Sequence, residues 1–481
     1  MHSGSNKTMR KTWALRAMVL SFAALLVHGK SMGQPAVDPA DDPIAVFTVQ
    51  AEGKQALVRV LTQATLCPTI VWNGNFAQRM ATRVEADTIA QRGDSAQSDS
   101  KPALFDVLTC ESNWPVGITS ARVGRFKVPG PKSHIDRIVV IADTGCRMKG
   151  SENAFQHCHD ADQWPFAKIA KSAATLHPDL VIHIGDMHYR ESPCPKDMAG
   201  CADSPWGYGL DAWNADFFVP ARPLLAAAPW VFVRGNHESC ARAGQGWFRF
   251  FDAQPWSPRR SCNLLVNDEN ADFSEPYAVP VDAHTQFIVF DSSKSSGKPY
   301  STTDPAFAKY TDQLRAVERL SKNTPNSIFL SHHPLLAVAQ DKNDPAAVRL
   351  AGSKGLQSVF STSYPERLFP PAVSVAMHGH VHFFESISFV GAHAASLVLG
   401  NAGSANEGQV ATSLPAGTEL YPGLVVQDYA ASAAFGFATL DRMNGKPAGR
   451  WLLTEYSEMG TPLMRCTITG DKSRCERIDK P

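Results

Sequence analysis

The feature that most constrains this chain is a series of short apolar runs, each followed closely by Asp, Asn or His. The runs are residues 138–141 (Ile-Val-Val-Ile), 180–184 (Leu-Val-Ile-His-Ile), 230–233 (Trp-Val-Phe-Val), 287–290 (Phe-Ile-Val-Phe), 328–330 (Ile-Phe-Leu) and 373–376 (Val-Ser-Val-Ala). Runs this short and this apolar predict strands buried on both faces, because helices need longer segments with a 3.6-residue period. Helix-compatible stretches at 166–176, 211–227 and 311–320 lie between them. Strand, helix, strand at this spacing is a βαβ unit, so an α/β domain is expected from about residue 135. Its tail, at 435–440, 451–456 and 463–469, reads as further strands.

The polar residues at the strand ends carry the chemistry. In chain order they are Asp143-Thr144-Gly145, Gly185-Asp186-Met187-His188-Tyr189, Gly235-Asn236-His237-Glu238, His332-His333-Pro334 and His378-Gly379-His380-Val381-His382. In an open α/β sheet the ligand crevice lies beyond the carboxyl ends of the strands, so these loops are expected to converge. Taken singly, each is ordinary. An Asp after a strand is commonly a cap, Gly-Asn is a turn, and a tyrosine is usually a packed aromatic. Taken together, they offer carboxylate, amide oxygen, phenolate and imidazole, a donor set for iron, zinc or manganese rather than copper(I). Asp291, which ends another run, reads as a loop or cap residue.

The set resembles the metallophosphoesterase (calcineurin-like) superfamily, and most closely its purple acid phosphatase branch. That branch is marked by G-D-x-G, G-D-x-x-Y, G-N-H-E/D, V-x-x-H and G-H-x-H. Here they stand as Ala142 to Gly145, Gly185 to Tyr189, Gly235 to Glu238, Phe329 to His332 and Gly379 to His382. Other branches carry a His where this chain has Gly145, and Tyr189 replaces it. The fold the resemblance implies is an αββα sandwich of two mixed sheets, preceded here by a small all-β N-terminal domain. It further implies two metal ions bridged by Asp186. Asp143, Tyr189 and His382 would complete a ferric site, and Asn236, His332 and His380 a divalent site holding iron, zinc or manganese. His237 would face the substrate and protonate or hydrogen-bond the leaving group, with His333 and His188 as phosphate contacts. Three positions depart from the pattern: Ala142, Phe329, and the segment Phe383-Phe384-Glu385-Ser386, which leaves substrate contacts on that side open.

The activity implied is hydrolysis of phosphate monoesters by attack of metal-bound hydroxide, as in an acid phosphatase, on a small phosphate-ester substrate. A phosphodiesterase or nucleotidase on the same metal core is the alternative. An adhesion or binding protein with a relic core is a third reading, and intact donors at all seven positions argue against it. Two metals generate hydroxide at accessible pH and clamp both the attacking and leaving oxygens. Three anionic ligands and one bridging hydroxide against a ferric–divalent pair leave a formal charge of about +1, so such a site attracts phosphate without a basic patch.

Composition bears on compartment and partners. The 481 residues include 46 basic and 46 acidic side chains. Lys7, Arg10, Lys11 and Arg16 precede an apolar run at 17–27, followed by small and polar residues to Gly33. This predicts a secretory signal peptide over 1–33, too short in its apolar part for a membrane span of about 20 residues. Cleavage would also remove Lys30, leaving 41 basic against 46 acidic residues, a net charge of −5. Duplex nucleic acid is therefore not an expected partner, and no later segment is apolar enough to span a bilayer. The mature protein is expected to be secreted or periplasmic.

Ten cysteines in such a compartment suggest disulfides between neighbours: Cys67–Cys110, Cys146–Cys158, Cys194–Cys201, Cys240–Cys262 and Cys466–Cys475. The rival for one of them is a zinc site on Cys146, His157, Cys158 and His159. Residues 35–132 read as the small β domain, with strands at 58–61 and 69–72, a polar loop at 92–101 and a hinge at 128–131. Residues 135–465 form the catalytic domain and 466–481 a disulfide-bonded tail. The segment 190–213 is expected to form a cleft wall, where Trp206 and Tyr208 either stack on an aromatic leaving group or pack.

Overall fold

The computed structural model describes residues 42–340, 348–406, 410–411, 413–443 and 449–478. They belong to one compact unit, Asp38–Pro481. The expected signal peptide lies outside the described residues.

Two mixed sheets stack face to face. The second contains eight strands in the order Tyr277–Pro280, Thr285–Phe290, Asn326–Ser331, Val373–His378, Ala395–Leu399, Phe384–Phe389, Leu424–Ser432 and Glu419–Tyr421. Side-chain alternation along a strand explains its two apolar faces. Phe287, Val289, Ile328 and Leu330 join the core shared with the other sheet. Their neighbours Ile288, Phe290 and Phe329 pack instead with Tyr310, Leu314 and Val317 of helix Pro305–Ser321 and with Val359 and Phe360 of helix Lys354–Ser363. Phe329, one of the departures from the family pattern, is thereby accounted for. Its ring lies 5.2 Å from both Phe290 and Phe369, in an aromatic core that a valine would underfill.

The first sheet has eleven strands. At its centre Arg137–Ile141, Leu180–Ile184 and Trp230–Val233 run parallel, the register expected of βαβ units. The helix Phe166–Ala174 and the helical stretch Leu210–Leu225 cover them, burying Phe166, Ile169, Phe217 and Leu224 in the same core. On one side the tail strands Gly436–Arg442, Arg450–Ser457, Pro462–Thr469 and Lys472–Arg477 continue the sheet antiparallel.

The other side is where the expected domain boundary near residue 132 meets the structure. Ala45–Gln50 pairs parallel with the last central strand, Val49 opposite Trp230. Ala56–Thr62, Leu108–Asn113 and Ala81–Val84 then follow antiparallel. The N-terminal region is strand-rich, but four of its strands extend the eleven-stranded sheet. Buried Arg59 reinforces the junction, donating to the Phe250 carbonyl at 2.7 Å and the Asp252 carbonyl at 2.5 Å. Arg83 donates to the Phe248 carbonyl at 3.1 Å. Together they satisfy carbonyls left open at the C-terminal end of helix Gly244–Phe250.

All five neighbour disulfides are present. The Cys146–Cys158 bond removes both thiolates from the rival zinc reading. Cys194–Cys201 staples the segment between Arg190 and Trp213, and Cys466–Cys475 joins opposed residues of the terminal hairpin. Tyr208 packs rather than offering a stacking face, since it is buried with its hydroxyl donating to Glu191.

The segment Phe383-Phe384-Glu385-Ser386 is also buried. The Glu385 carboxylate accepts from the Val338 N–H at 3.2 Å, and burial lifts its pKa to about 8. An unfolded Glu titrates near ~4.3. The native state therefore holds a proton that the unfolded chain releases between about pH 4.5 and 8, so this group's contribution to stability is lost as pH rises through that window. Glu385→Gln in metal-free protein is expected to match the parent at pH 5 and exceed it by on the order of 2–4 kcal/mol at pH 8. Denaturant melts at both values test this, and parallel pH dependences of the two proteins would contradict it.

Candidate metal centre

The five polar loops leave the sheets at one edge, and backbone hydrogen bonds tie the first to the second and the fourth to the fifth. The Asp143 N–H donates to the Gly185 carbonyl, Thr144 N–H to the Asp186 carbonyl, and Gly379 N–H to the His332 carbonyl, each at 3.0 Å. Asp143, Asp186 and His380 all adopt left-handed backbone conformations, with φ of 56°, 58° and 70°. Such angles are uncommon for non-glycine residues and concentrate at functional sites. Two glycines make the approach possible. A Cβ at Gly235 would stand 2.1 Å from Asp186 Oδ1. One at Gly145 would stand 2.8 Å from the Tyr189 nitrogen and 2.9 Å from Asp216 Oδ2, so a histidine at 145 has no room.

The seven expected donors converge in two overlapping groups. Tyr189 Oη lies 2.9 Å from Asp143 Oδ1, 3.0 Å from Asp186 Oδ2 and 2.8 Å from His382 Nε2. Asn236 Oδ1 lies 3.1 Å from His332 Nε2 and 3.2 Å from His380 Nδ1. Asp186 Oδ2 belongs to both, standing 3.0 Å from His332 Nε2. These separations suit ions. Donors held about 2.0–2.2 Å from one ion at right angles to each other lie about 3 Å apart.

The donor chemistry agrees. His332 Nδ1 donates to the Ile184 carbonyl at 2.8 Å and His382 Nδ1 to the Ala405 carbonyl at 2.7 Å. Each Nε2 faces inward, the arrangement of metal-binding imidazoles. Without an ion, the Asp186 carboxylate outweighs burial and raises His332 to about 9, so its Nε2 carries a proton that a bound cation would displace. Burial, with the His333 and His332 imidazoles beside it, holds His380 well below the ordinary histidine range, hence neutral. Burial and the Asp143 and Asp186 carboxylates push the Tyr189 phenol well above its usual range. A bound cation is the group that would let that phenol ionise.

The three histidines expected to act on substrate fall in different places. His237 lies over the Tyr189 ring, centroids 3.8 Å apart, with Nε2 3.8 Å from Asp186 Oδ2. Its Nδ1 is 2.7 Å from Glu191 Oε1. His333 stacks beside His380, centroids 4.2 Å apart, and its Nδ1 is 3.3 Å from Ser292 Oγ. His188 is not brought to the donors: its ring is fully buried between Trp213 and Tyr208.

Four residues hold this site in roles that the sequence reading did not assign. Glu238 accepts from the N–H groups of Asp186, Met187 and Gly235 at 2.9, 2.8 and 3.0 Å. It therefore fixes the loop carrying the bridging carboxylate. Asp216 accepts from the N–H groups of Cys146 at 3.0 Å and Tyr189 at 2.7 Å, and pairs with Arg190 Nε at 2.6 Å. Glu191 holds His237, and Arg242 donates to that same carboxylate while its Nη2 lies 2.6 Å from His237 Nδ1. Glu238 was visible inside the Gly-Asn-His-Glu motif. The other three carry no local signal.

This fold has known relatives. The model of the calcineurin-like phosphoesterase family matches residues 136–384, and the chain belongs to that family. A purple acid phosphatase from yellow lupin (Lupinus luteus) seeds is structurally similar, with a TM-score of 0.50 and 14% identity over 89% of this chain and 73% of that one. The structure of PhoD is similar at a TM-score of 0.50 and 11% identity, over 93% of this chain and 94% of the other. At such identities the likeness is one of fold. No curated protein matches the sequence. Among the described residues no helix is long and apolar enough to cross a membrane.

Proposed function

We propose that this chain is a secreted phosphatase that hydrolyses phosphate monoesters with two metal ions, one ferric and one divalent (iron, zinc or manganese). The observation that carries the reading is the pair of donor groups sharing Asp186 Oδ2, one rich in anions and one built on the Asn236 amide and the His332 and His380 imidazoles. Asp143, Asp186, Tyr189 and His382 would hold the ferric ion, since carboxylates and a phenolate favour the higher charge. Such a pair, when bound, supplies an acidified water and a clamp for phosphoryl oxygens. The chain's own part is to hold the donors, exclude bulk water and place a proton donor. His237, held by Glu191 with its Nε2 3.8 Å from Asp186 Oδ2, would be the proton donor to the leaving oxygen. His333, beside His380, would contact a phosphoryl oxygen. Five disulfides fit an oxidising compartment, in agreement with a leader at 1–33.

Purified protein is expected to contain two metals per chain and to show a visible tyrosinate–iron(III) absorption that disappears in Tyr189→Phe. A colourless, fully active protein holding only zinc or manganese would remove the ferric assignment and leave the phosphoesterase reading standing. It should cleave p-nitrophenyl phosphate faster than bis-p-nitrophenyl phosphate. A strong diester preference would make it a phosphodiesterase instead.

A further inference from the structure

The polar loop at 92–101 in the N-terminal strand-rich region has no assigned role, yet one of its side chains reaches the back of the site. Asp99 is fully buried although it lies in a short, otherwise polar segment. Its Oδ2 accepts from Lys149 Nζ at 2.5 Å, and its Oδ1 accepts from Ser192 Oγ and from Ser98 Oγ. The same Lys149 ammonium donates to Glu191 Oε2 at 2.7 Å. Glu191 receives Tyr208 Oη at 3.0 Å on that oxygen, and faces His237 Nδ1 at 2.7 Å through Oε1. Three side chains, Asp99, Lys149 and Glu191, thus connect the N-terminal region to the imidazole over the metal donors. Water screens the chain of contacts little, because Asp99 and Glu191 are both fully buried and the Lys149 side chain is 11 % exposed.

We propose that Asp99 is a positioning residue for His237, acting through Lys149 and Glu191, so that the N-terminal region completes the active site. This rests on the reading of His237 as the leaving-group acid. The physical argument is one of anchoring. A carboxylate can accept from about four directions, and Glu191 is set by Lys149, Tyr208, Arg242 and His237 together. Lys149 alone has a flexible stem and no fixed direction. Asp99, itself bound to Ser192 directly beyond Glu191 in the chain, gives it one. Removing one member of a buried charge network leaves its partner uncompensated, and the partner moves.

The test is Asp99→Asn assayed with two monoesters, p-nitrophenyl phosphate and the alkyl ester glycerol 2-phosphate. An alkyl leaving group needs the proton and nitrophenolate hardly does. The expected result is a roughly tenfold fall in kcat for the alkyl ester, KM nearly unchanged, and little effect on the aryl ester. Metal content should remain at two per chain. Glu191→Gln should reduce kcat similarly, and the double variant should lose no more than Glu191→Gln alone, since the two act in series. In metal-free protein, the nitrogen resonances of the His237 ring should shift in Asp99→Asn as its hold on Glu191 loosens. Equal losses on both esters, additive losses in the double variant, or an unshifted His237 would overturn the proposal. His237→Ala separates the two layers. If it spares the alkyl ester, the reading of His237 fails; if it does not and Asp99→Asn behaves as the parent, only the role of Asp99 fails.

Discussion

Asp186→Asn is expected to lower turnover by about four orders of magnitude or more and to leave less than one metal per chain. The reason is that the two oxygens of this carboxylate do separate work. Oδ2 stands 3.0 Å from both Tyr189 Oη and His332 Nε2, where the two donor groups meet. Oδ1 accepts the His237 backbone N–H at 2.9 Å, which sets the loop carrying the proposed acid. An asparagine retains one oxygen and must sacrifice one of these roles, along with the negative charge common to both groups. The fold should survive, because Glu238 and the Thr144 N–H hold the backbone of residue 186 independently of its side chain. Asn236→Ala, by contrast, removes an oxygen from one group alone and should still retain the ion on the Tyr189 side. Metal analysis with thermal melts distinguishes these outcomes. Two tightly held metals in Asp186→Asn would contradict the shared-donor geometry.

What was legible in the sequence was local. Strands at Leu180–Ile184 and Trp230–Val233 coincide with the apolar runs that announced them, because strands buried on both faces leave an unbroken apolar signature. The donors follow the ends of their strands by one to five residues, and the crevice rule placed them at one edge before any distance was known. What was not legible depends on return of the chain. Nothing in residues 45–50 says that they pair with a strand 180 residues onward, so the region read as a separate domain. Asp99, Asp216 and Arg242 acquire meaning only from partners on other loops. His188 illustrates the converse error. Standing between two donors in the chain, it shared their motif, but alternation in the turn sends its ring toward Trp213 while Tyr189 faces Asp143.

His237→Ala carries the second large effect, and its size should depend on the substrate. General acid catalysis by a positioned side chain contributes about 10²- to 10⁴-fold. With glycerol 2-phosphate, kcat is expected to fall by two to three orders of magnitude; with p-nitrophenyl phosphate the loss should be closer to tenfold. Metal content should not change, since the ring contacts the donors only by stacking on Tyr189 and by an Nε2 3.8 Å from Asp186 Oδ2. The backbone N–H that serves Asp186 Oδ1 is present in alanine too. Loss of metal in this variant would make His237 a ligand or a support for one. A uniform loss across leaving groups with metal retained would move it from proton donation to phosphoryl binding. His333, which lies on the other donor group beside His380, provides the contrast. Its removal should raise KM for both esters alike, because a contact to a phosphoryl oxygen does not depend on what departs.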